Sequence, residues 1–460
     1  MMPSIELVVK QIKGMIKSKG SQGHVIDGFD EELERLAPQK SYDALMELAQ
    51  RLVKQPMRPD WKYVEPDDLL SIQAESDPKR ALRPLVVVDP VQIAPCVEAA
   101  FLSSVAGCIL GKPIEGWLDL PTIRSAAEKV GAWPLNDYIT EAMLEPLAYR
   151  HPDWPVTVRE RITFVAPDDD INYSILGMLL LEKHGLNLER KHLADAWIKN
   201  LATWWCWGPE RVVNISASLW SMHHDPEFPF YDADAPYDEW VSLLNPHDEF
   251  CGALIRADAY GYACAGNPAL ASELAWRDAS FTHTRTGIYG TMFTAAAIAA
   301  AFVVKDPLEI FRIAGQYVPQ NSRFADAYRN CLKLVETSSN WLEGYERVHN
   351  AYGDFGNCRI YQEIGTVMNT LRFAKNVGEG ICMQVSQGND TDSFGCTCGS
   401  ILGAFHEPGS LEPRWLQPFN NTIHSTLATF QETRLSAVAE RMGKLPALMA
   451  KALEQKPAPI

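Results

Sequence analysis

The sequence predicts an all-α protein, and three observations carry that prediction. Apolar residues recur at helical spacing through most segments, no alternating strand pattern or hairpin signature dominates, and Gly395, Gly399 and Gly403 fall four apart on one helix face. Each such glycine costs a helix about 1 kcal/mol against alanine. A run of three therefore predicts close approach to a second helix. The expected organisation is a helical extension over residues 1–85 and one compact multi-helix body over residues 86–460.

Within the extension, Ile5, Val9, Ile12 and Ile16 predict one helix, and Leu45, Leu48 and Leu52 predict another that starts after the capping residue Ser41. Residues 55–66, with Pro56, Pro59 and Pro66 around Trp61, read as an ordered connector. No catalytic signal lies here, so the expected role is packing on the body or on a partner subunit. In the body, residues 97–111 read as a small-residue helix that Gly111 and Pro113 bring to an end, which delivers Glu115 on a turn. At 168 three consecutive aspartates open a helix carrying Ile171, Ile175 and Leu179, with Gly185 as its C-cap. Acids in a first turn suit the helix dipole, but three exceed what capping uses. Trp204, Trp205, Trp207 and Trp220 are expected in the core rather than as stacking platforms. From 250 onward, two Ala/Gly-rich helices are joined through His283 and Arg285. Residues 387–404 then read QGNDTDSFGCTCGSILGA, an oxygen-rich loop running into the glycine helix.

Composition excludes several classes. A net charge of −16 leaves no basic footprint for nucleic acid or an anionic membrane surface. Glu6, Lys10 and Lys13 interrupt the N-terminal apolar run, so it is no signal peptide. Residues 291–304, read as the most apolar stretch, fall short of the roughly 20 residues a bilayer requires. A cytoplasmic protein is expected. The ten cysteines form no CxxC pair and read as reduced, mostly buried apolar residues. There is no GxGxxG, no GxxxxGK[ST] and no GxSxG, and the Asp354-Phe355-Gly356 tripeptide lacks the companions that would give it meaning.

If Glu115 and both aspartate clusters face one cleft, six carboxylates converge. Two like charges 4 Å apart repel by about 4 kcal/mol at an effective dielectric of 20, so such a site protonates or holds cations. Oxygen ligands without a paired His or Cys motif select Mg²⁺, Mn²⁺ or Ca²⁺ over Zn²⁺.

GCILGKPIEG at 107, DDDI at 168, GALIR at 252, FTHTRTG at 281 and GNDTDSFGCTCGSILGA at 388 occur in the order of a known set of motifs. In these residues the chain resembles the ADP-ribosylglycohydrolase family, of the dinitrogenase-reductase-activating glycohydrolase type, over about residues 95–420. The resemblance implies an all-α fold and two divalent cations, Mg²⁺ or Mn²⁺. Their ligands would be Glu115, Asp168, Asp169, Asp170, Asp390, Asp392 and Ser393. It implies catalytic roles for Glu115, Asp169 and Asp392, and substrate contacts from Gly252, Arg256, His283 and Asn389.

The implied reaction is hydrolysis of the N- or O-glycosidic bond of an ADP-ribosylated or smaller ribosylated substrate. The partner is then an ADP-ribosyl or ribosyl small molecule, or an ADP-ribosylated protein, and not a nucleic acid or a membrane. Because the resemblance extends to a lens crystallin, the alternative is a non-catalytic ligand-binding member that keeps the fold.

Departures from the pattern matter. Asp168 stands where the family has Thr, and Ile171 replaces a second Thr; a one-residue shift would equate Pro167 with the first Thr instead. The turn at Glu249, Phe250 and Cys251 replaces a glycine-asparagine loop. With the tryptophans near 204–207 it predicts a cleft narrowed beyond the ribose.

Overall fold

The computed structural model describes residues 3–222, 230 and 235–455. Among them no strand forms, and β pairing is limited to isolated bridges such as Asp119 with Gly388. The protein is all-α, as its periodicity predicts.

Helices Ile5–Ser21, Phe29–Leu36 and Tyr42–Val53 make up the N-terminal unit. Ser4 and Ser41 cap the first and third by accepting from the amides of Leu7 and Ala44. Val8, Ile12, Ile16, Leu33, Leu45, Leu48 and Leu52 pack into a small core separate from the main one. The unit is moored to the body at Asp248, which pairs with Lys19 at 3.2 Å and accepts from Gln22 Nε2 at 2.7 Å. The connector is ordered because it is pinned: the Val64 amide donates to Asn321 O at 3.0 Å, and Glu65 pairs with Arg323 at 2.9 Å.

His24 completes the mooring. Its Nδ1 lies 2.7 Å from Gln55 O and its Nε2 lies 3.0 Å from the Arg285 guanidinium. With Nδ1–H donating to the carbonyl, Nε2 accepts from Arg285, so the ring must be neutral. Burial, opposed only in part by the Gln55 carbonyl, pushes its pKa from 6.5 down to about 4. A depressed histidine contributes stability that is present above pH 6.5 and lost as pH falls towards 4. The melting temperature is expected to drop across that window, and His24→Gln to flatten the drop; an unchanged slope would remove His24 as its cause.

The body is built around two helices, Pro90–Gly111 and Thr391–Phe405. They run antiparallel at backbone contact. A Cβ on Gly107 would lie 2.1 Å from Gly395 O, one on Gly399 2.3 Å from Ser103 O, and one on Gly403 2.6 Å from Ala100 Cα. The register is fixed at the far end, where Thr391 Oγ1 donates to Gly111 O at 2.8 Å. The C-terminus of one helix is thereby set beside the N-terminus of the other.

Among the described residues, Pro90–Ile114, not residues 291–304, is the helix whose length and composition would suffice for a bilayer. Most of its side chains from Val97 onward are buried, so its apolar character reflects the packing around it. The helix Asp169–His184 is the third wall, and Asp258 ties the three together. Its Oδ2 accepts from Ser104 at 3.3 Å, Ser174 at 3.4 Å and Ser400 at 2.7 Å, one hydroxyl from each helix.

Candidate metal centre

Three chain elements end at one point. The Pro90–Gly111 helix runs into a 3₁₀ turn, Lys112–Ile114, which presents Lys112 and Glu115. Asp168 is the N-cap of the Asp169–His184 helix and accepts from the Asp170 amide at 2.9 Å. Gly388 and Asn389, at φ +79° and +63°, reverse the chain ahead of Thr391–Phe405, and the Asn389 amide donates to Leu118 O at 2.7 Å. That reversal brings Asp390, Asp392 and Ser393 to face the other acids.

The centre of the cluster is a lysine. Lys112 Nζ lies 2.7 Å from Asp168 Oδ2, 2.8 Å from Glu115 Oε2 and 2.9 Å from Asp392 Oδ2, and the residue is 6% exposed. Ser393 Oγ donates to Asp170 Oδ2 at 3.3 Å. The Cys251 and Cys358 thiols donate to Asp390 Oδ2 at 3.3 and 3.2 Å. Glu115 is the more open acid, its side chain 32% exposed, with His151 Nε2 3.4 Å from its Oε2 and Tyr149 donating to its carbonyl.

The electrostatics follow from burial and crowding. Burial works against charge on Lys112, but Asp168, Asp392 and Glu115 hold its ammonium well above the lysine range. Burial also opposes the Asp392 carboxylate, yet Lys112 holds it down to about 2. Asp390 is pushed up to about 7 by burial and by Asp392. Burial raises Glu115, Asp169 and Asp170 well above the carboxylate range, with Asp392 adding to the first and Asp168 to the others. One ammonium does not balance this many acids, so the cluster retains protons that a divalent cation would displace.

The donors fit a hard cation. Asp170 Oδ1 and Asp392 Oδ1 are buried without a hydrogen-bond partner among the described residues, which is costly for a carboxylate unless something positive approaches. Glu115, Asp390 and Asp392 can each bring one oxygen within 4.8 Å of the others. Oxygen donors in this arrangement suit Mg²⁺ or Mn²⁺. The expectation of two such ions meets an obstacle in Lys112, because an ammonium and a divalent ion 4 Å apart repel by about 8 kcal/mol at a dielectric of 20.

Other expectations fare differently. Arg256 and His283, expected to touch substrate, are each 1% exposed. Arg256 is spent on Glu210 at 2.8 Å, Asp278 at 2.5 Å and Thr282 at 2.8 Å, and His283 Nδ1 faces Thr282 Oγ1 at 2.8 Å. Both side chains are buried and held by partners from the chain itself. At Gly252 a Cβ would lie 2.3 Å from Glu210 Oε1, so the backbone there runs against the Glu210 side chain. Trp204 and Trp207 are 71% and 51% exposed and flank Arg211, not the core.

Sequence reading missed Lys112, Cys358 and Glu363, and took Cys251 only as part of the turn that narrows the cleft. The Glu363 carboxylate is buried with neither oxygen hydrogen-bonded among the described residues, and burial pushes it up to about 8. Only Lys112 carried a signal, a charged residue where an apolar helix ends.

The sequence pattern described as ADP-ribosylglycohydrolase matches residues 95–451. A search of curated proteins finds no match. A solved structure described as an ADP-ribosylglycohydrolase-related protein complex is 18% identical, covering 77% of this chain and 98% of its own, with a TM-score of 0.48. That likeness is too low to carry argument. The family pattern spans more than half of the chain and includes both aspartate clusters and the Glu115 turn, so the protein belongs to the ADP-ribosylglycohydrolase family.

Proposed function

We propose that the protein is a divalent-cation-dependent hydrolase of an N- or O-ribosyl bond. The observation that carries this is the meeting of the Glu115 turn with two acidic helix N-termini, where Asp170 Oδ1 and Asp392 Oδ1 are buried without partners. Family membership supports the reaction class. Mg²⁺ or Mn²⁺ held by Glu115, Asp390 and Asp392 would orient a ribose diol and activate a water.

The chain's own groups account for the rest. Glu115, its side chain partly exposed and its carboxyl raised by burial and by Asp392, would accept the proton of the attacking water once a bound cation has displaced its own. Asp169, part-exposed beside Asp168, is the proposed acid that would stabilise the oxocarbenium-like transition state once a bound cation has displaced its proton. Ser393 and Lys112 hold Asp170, Asp168 and Asp392 in place. Asn389, part-exposed beside Asp390, remains the proposed substrate contact of the loop.

For the substrate we favour a free ribosyl or ADP-ribosyl compound over modified protein. Beyond Asp390 the wall is filled by the Cys251 and Cys358 thiols, by Phe250 under the Arg359 guanidinium, and by Glu249 paired with Arg323. Side chains occupy the place of the family's glycine-asparagine turn. A cavity of about 470 Å³ lies alongside, lined by Glu249, Arg323, Arg359 and Tyr361 among others. A second reading, a non-catalytic binding protein, draws support from the resident ammonium of Lys112, which already neutralises part of the cluster.

Turnover of ADP-ribosyl-arginine, ADP-ribosyl protein and simple ribosides with Mg²⁺ or Mn²⁺ separates these readings. Hydrolysis of the small compounds is expected; inactivity on all of them would favour the binding protein, and preference for modified protein would end the narrowed-cleft argument. Glu115→Gln is expected to lower kcat by about 10²-fold or more while Mn²⁺ affinity changes less. Equal loss of both would make Glu115 a plain ligand.

A further inference from the structure

We infer that Lys112 is a permanent cation of the centre, standing where a second divalent ion would bridge the two aspartate clusters, so that each chain takes up one Mg²⁺ or Mn²⁺ and not two. The inference rests on the cation-dependent reading above and specifies it. Its basis is position. Lys112 Nζ is shared by Asp168 from one helix N-terminus, Asp392 from the other and Glu115 from the turn, at 2.7, 2.9 and 2.8 Å. Two of its N–H groups donate to Glu115 and Asp392 and the third contact, with Asp168, is an ion pair; an ammonium has no lone pair, so the group cannot itself ligate a metal.

The ammonium is also locked in place. Lys112 follows Gly111, whose Cβ would lie 2.2 Å from Thr391 O, so the backbone bearing the lysine is clamped to the opposite helix. The residues of its turn, Lys112, Pro113 and Ile114, are all buried. Moving the side chain aside would strip the buried Asp168 and Asp392, and the part-exposed Glu115, of their counter-charge at once. The three shared oxygens stand 2.7–2.9 Å from Nζ, whereas a Mg²⁺ requires about 2.0–2.1 Å.

On the Asp390 side of the lysine, the acids suit a single ion. Glu115, Asp390 and Asp392 can converge on one point, and Asp392 Oδ1, in a residue 1% exposed, has no hydrogen-bond partner among the described residues. Asp392 would then face Lys112 with one oxygen and the ion with the other.

The test is Mn²⁺ alone, by metal analysis after equilibrium dialysis and by electron paramagnetic resonance. Wild-type protein is expected to bind one Mn²⁺ per chain and show the hyperfine pattern of an isolated ion. Lys112→Ser and Lys112→Met, which remove the charge with and without leaving space, are expected to differ: the serine variant takes a second Mn²⁺ and shows exchange coupling, while the methionine variant keeps one. Two coupled ions in the wild type would overturn the inference and leave the proposed hydrolase standing. A single ion in a folded Lys112→Ser variant would equally overturn it. No Mn²⁺ uptake by any form would instead refute the cation-dependent reading itself. Should the variants fail to fold, the wild-type stoichiometry decides alone.

Discussion

Asp392→Asn is expected to lower kcat/KM on a ribosyl substrate by about 10³-fold or more while the chain stays folded. The substitution keeps volume and planarity, so the packing of the Thr391–Phe405 helix is undisturbed. What it removes is charge, at the residue that serves both Lys112 and the free oxygen position. Charge stabilisation by a bound metal ion amounts to several kcal/mol of the barrier, and each 1.36 kcal/mol is tenfold in rate. Lys112 retains Asp168 and Glu115 as partners, which limits the effect on stability. Ser393→Ala, deleting one hydrogen bond to Asp170, should cost only about tenfold. Activity of Asp392→Asn within tenfold of wild type, with unchanged Mn²⁺ uptake, would remove Asp392 from the centre.

Much of this centre could be read from the chain because helix geometry constrains where residues go. Three aspartates before a run of Ile171 and Ile175 announce a capped helix N-terminus, and Asp168 does cap it. Glycines at 395, 399 and 403 announce a helix at backbone contact, and the partner proves to be the one ending at Gly111. Those two local readings place most of the acids. The sequence is silent where a role depends on long-range partners. Arg256 looks like a substrate-binding arginine until Glu210 and Asp278, both distant in sequence, are seen to consume its donors. Cys251 and Cys358 are 107 positions apart by their numbers and meet only at Asp390. Lys112 was visible as a residue, but its direction was not: a lysine at a helix end usually reaches for water, and here the clamp at Gly111 turns it inward.

Gly399→Ala should destabilise the protein by about 3 kcal/mol, at the upper end of what overpacking costs, and weaken Mn²⁺ binding with it. In an isolated helix the same change would stabilise by about 1 kcal/mol, so the sign alone discriminates. The new methyl would lie 2.3 Å from Ser103 O, 2.7 Å from Ser103 C and 2.9 Å from Ser104 Cα, all backbone atoms of the facing helix. No rotamer change relieves a clash with backbone, so the helices must separate or slide. Sliding reaches the centre about two helical turns away, where Thr391 is bonded to Gly111 and Asp392 to Lys112. The loosened pair would also draw Ser400 from Asp258, which joins all three walls. Chemical denaturation and Mn²⁺ titration on the same preparation should therefore show stability and affinity falling together. A more stable Gly399→Ala protein would mean the helices are not held at backbone contact, and the close pairing that brings Asp392 to Lys112 would lose its explanation.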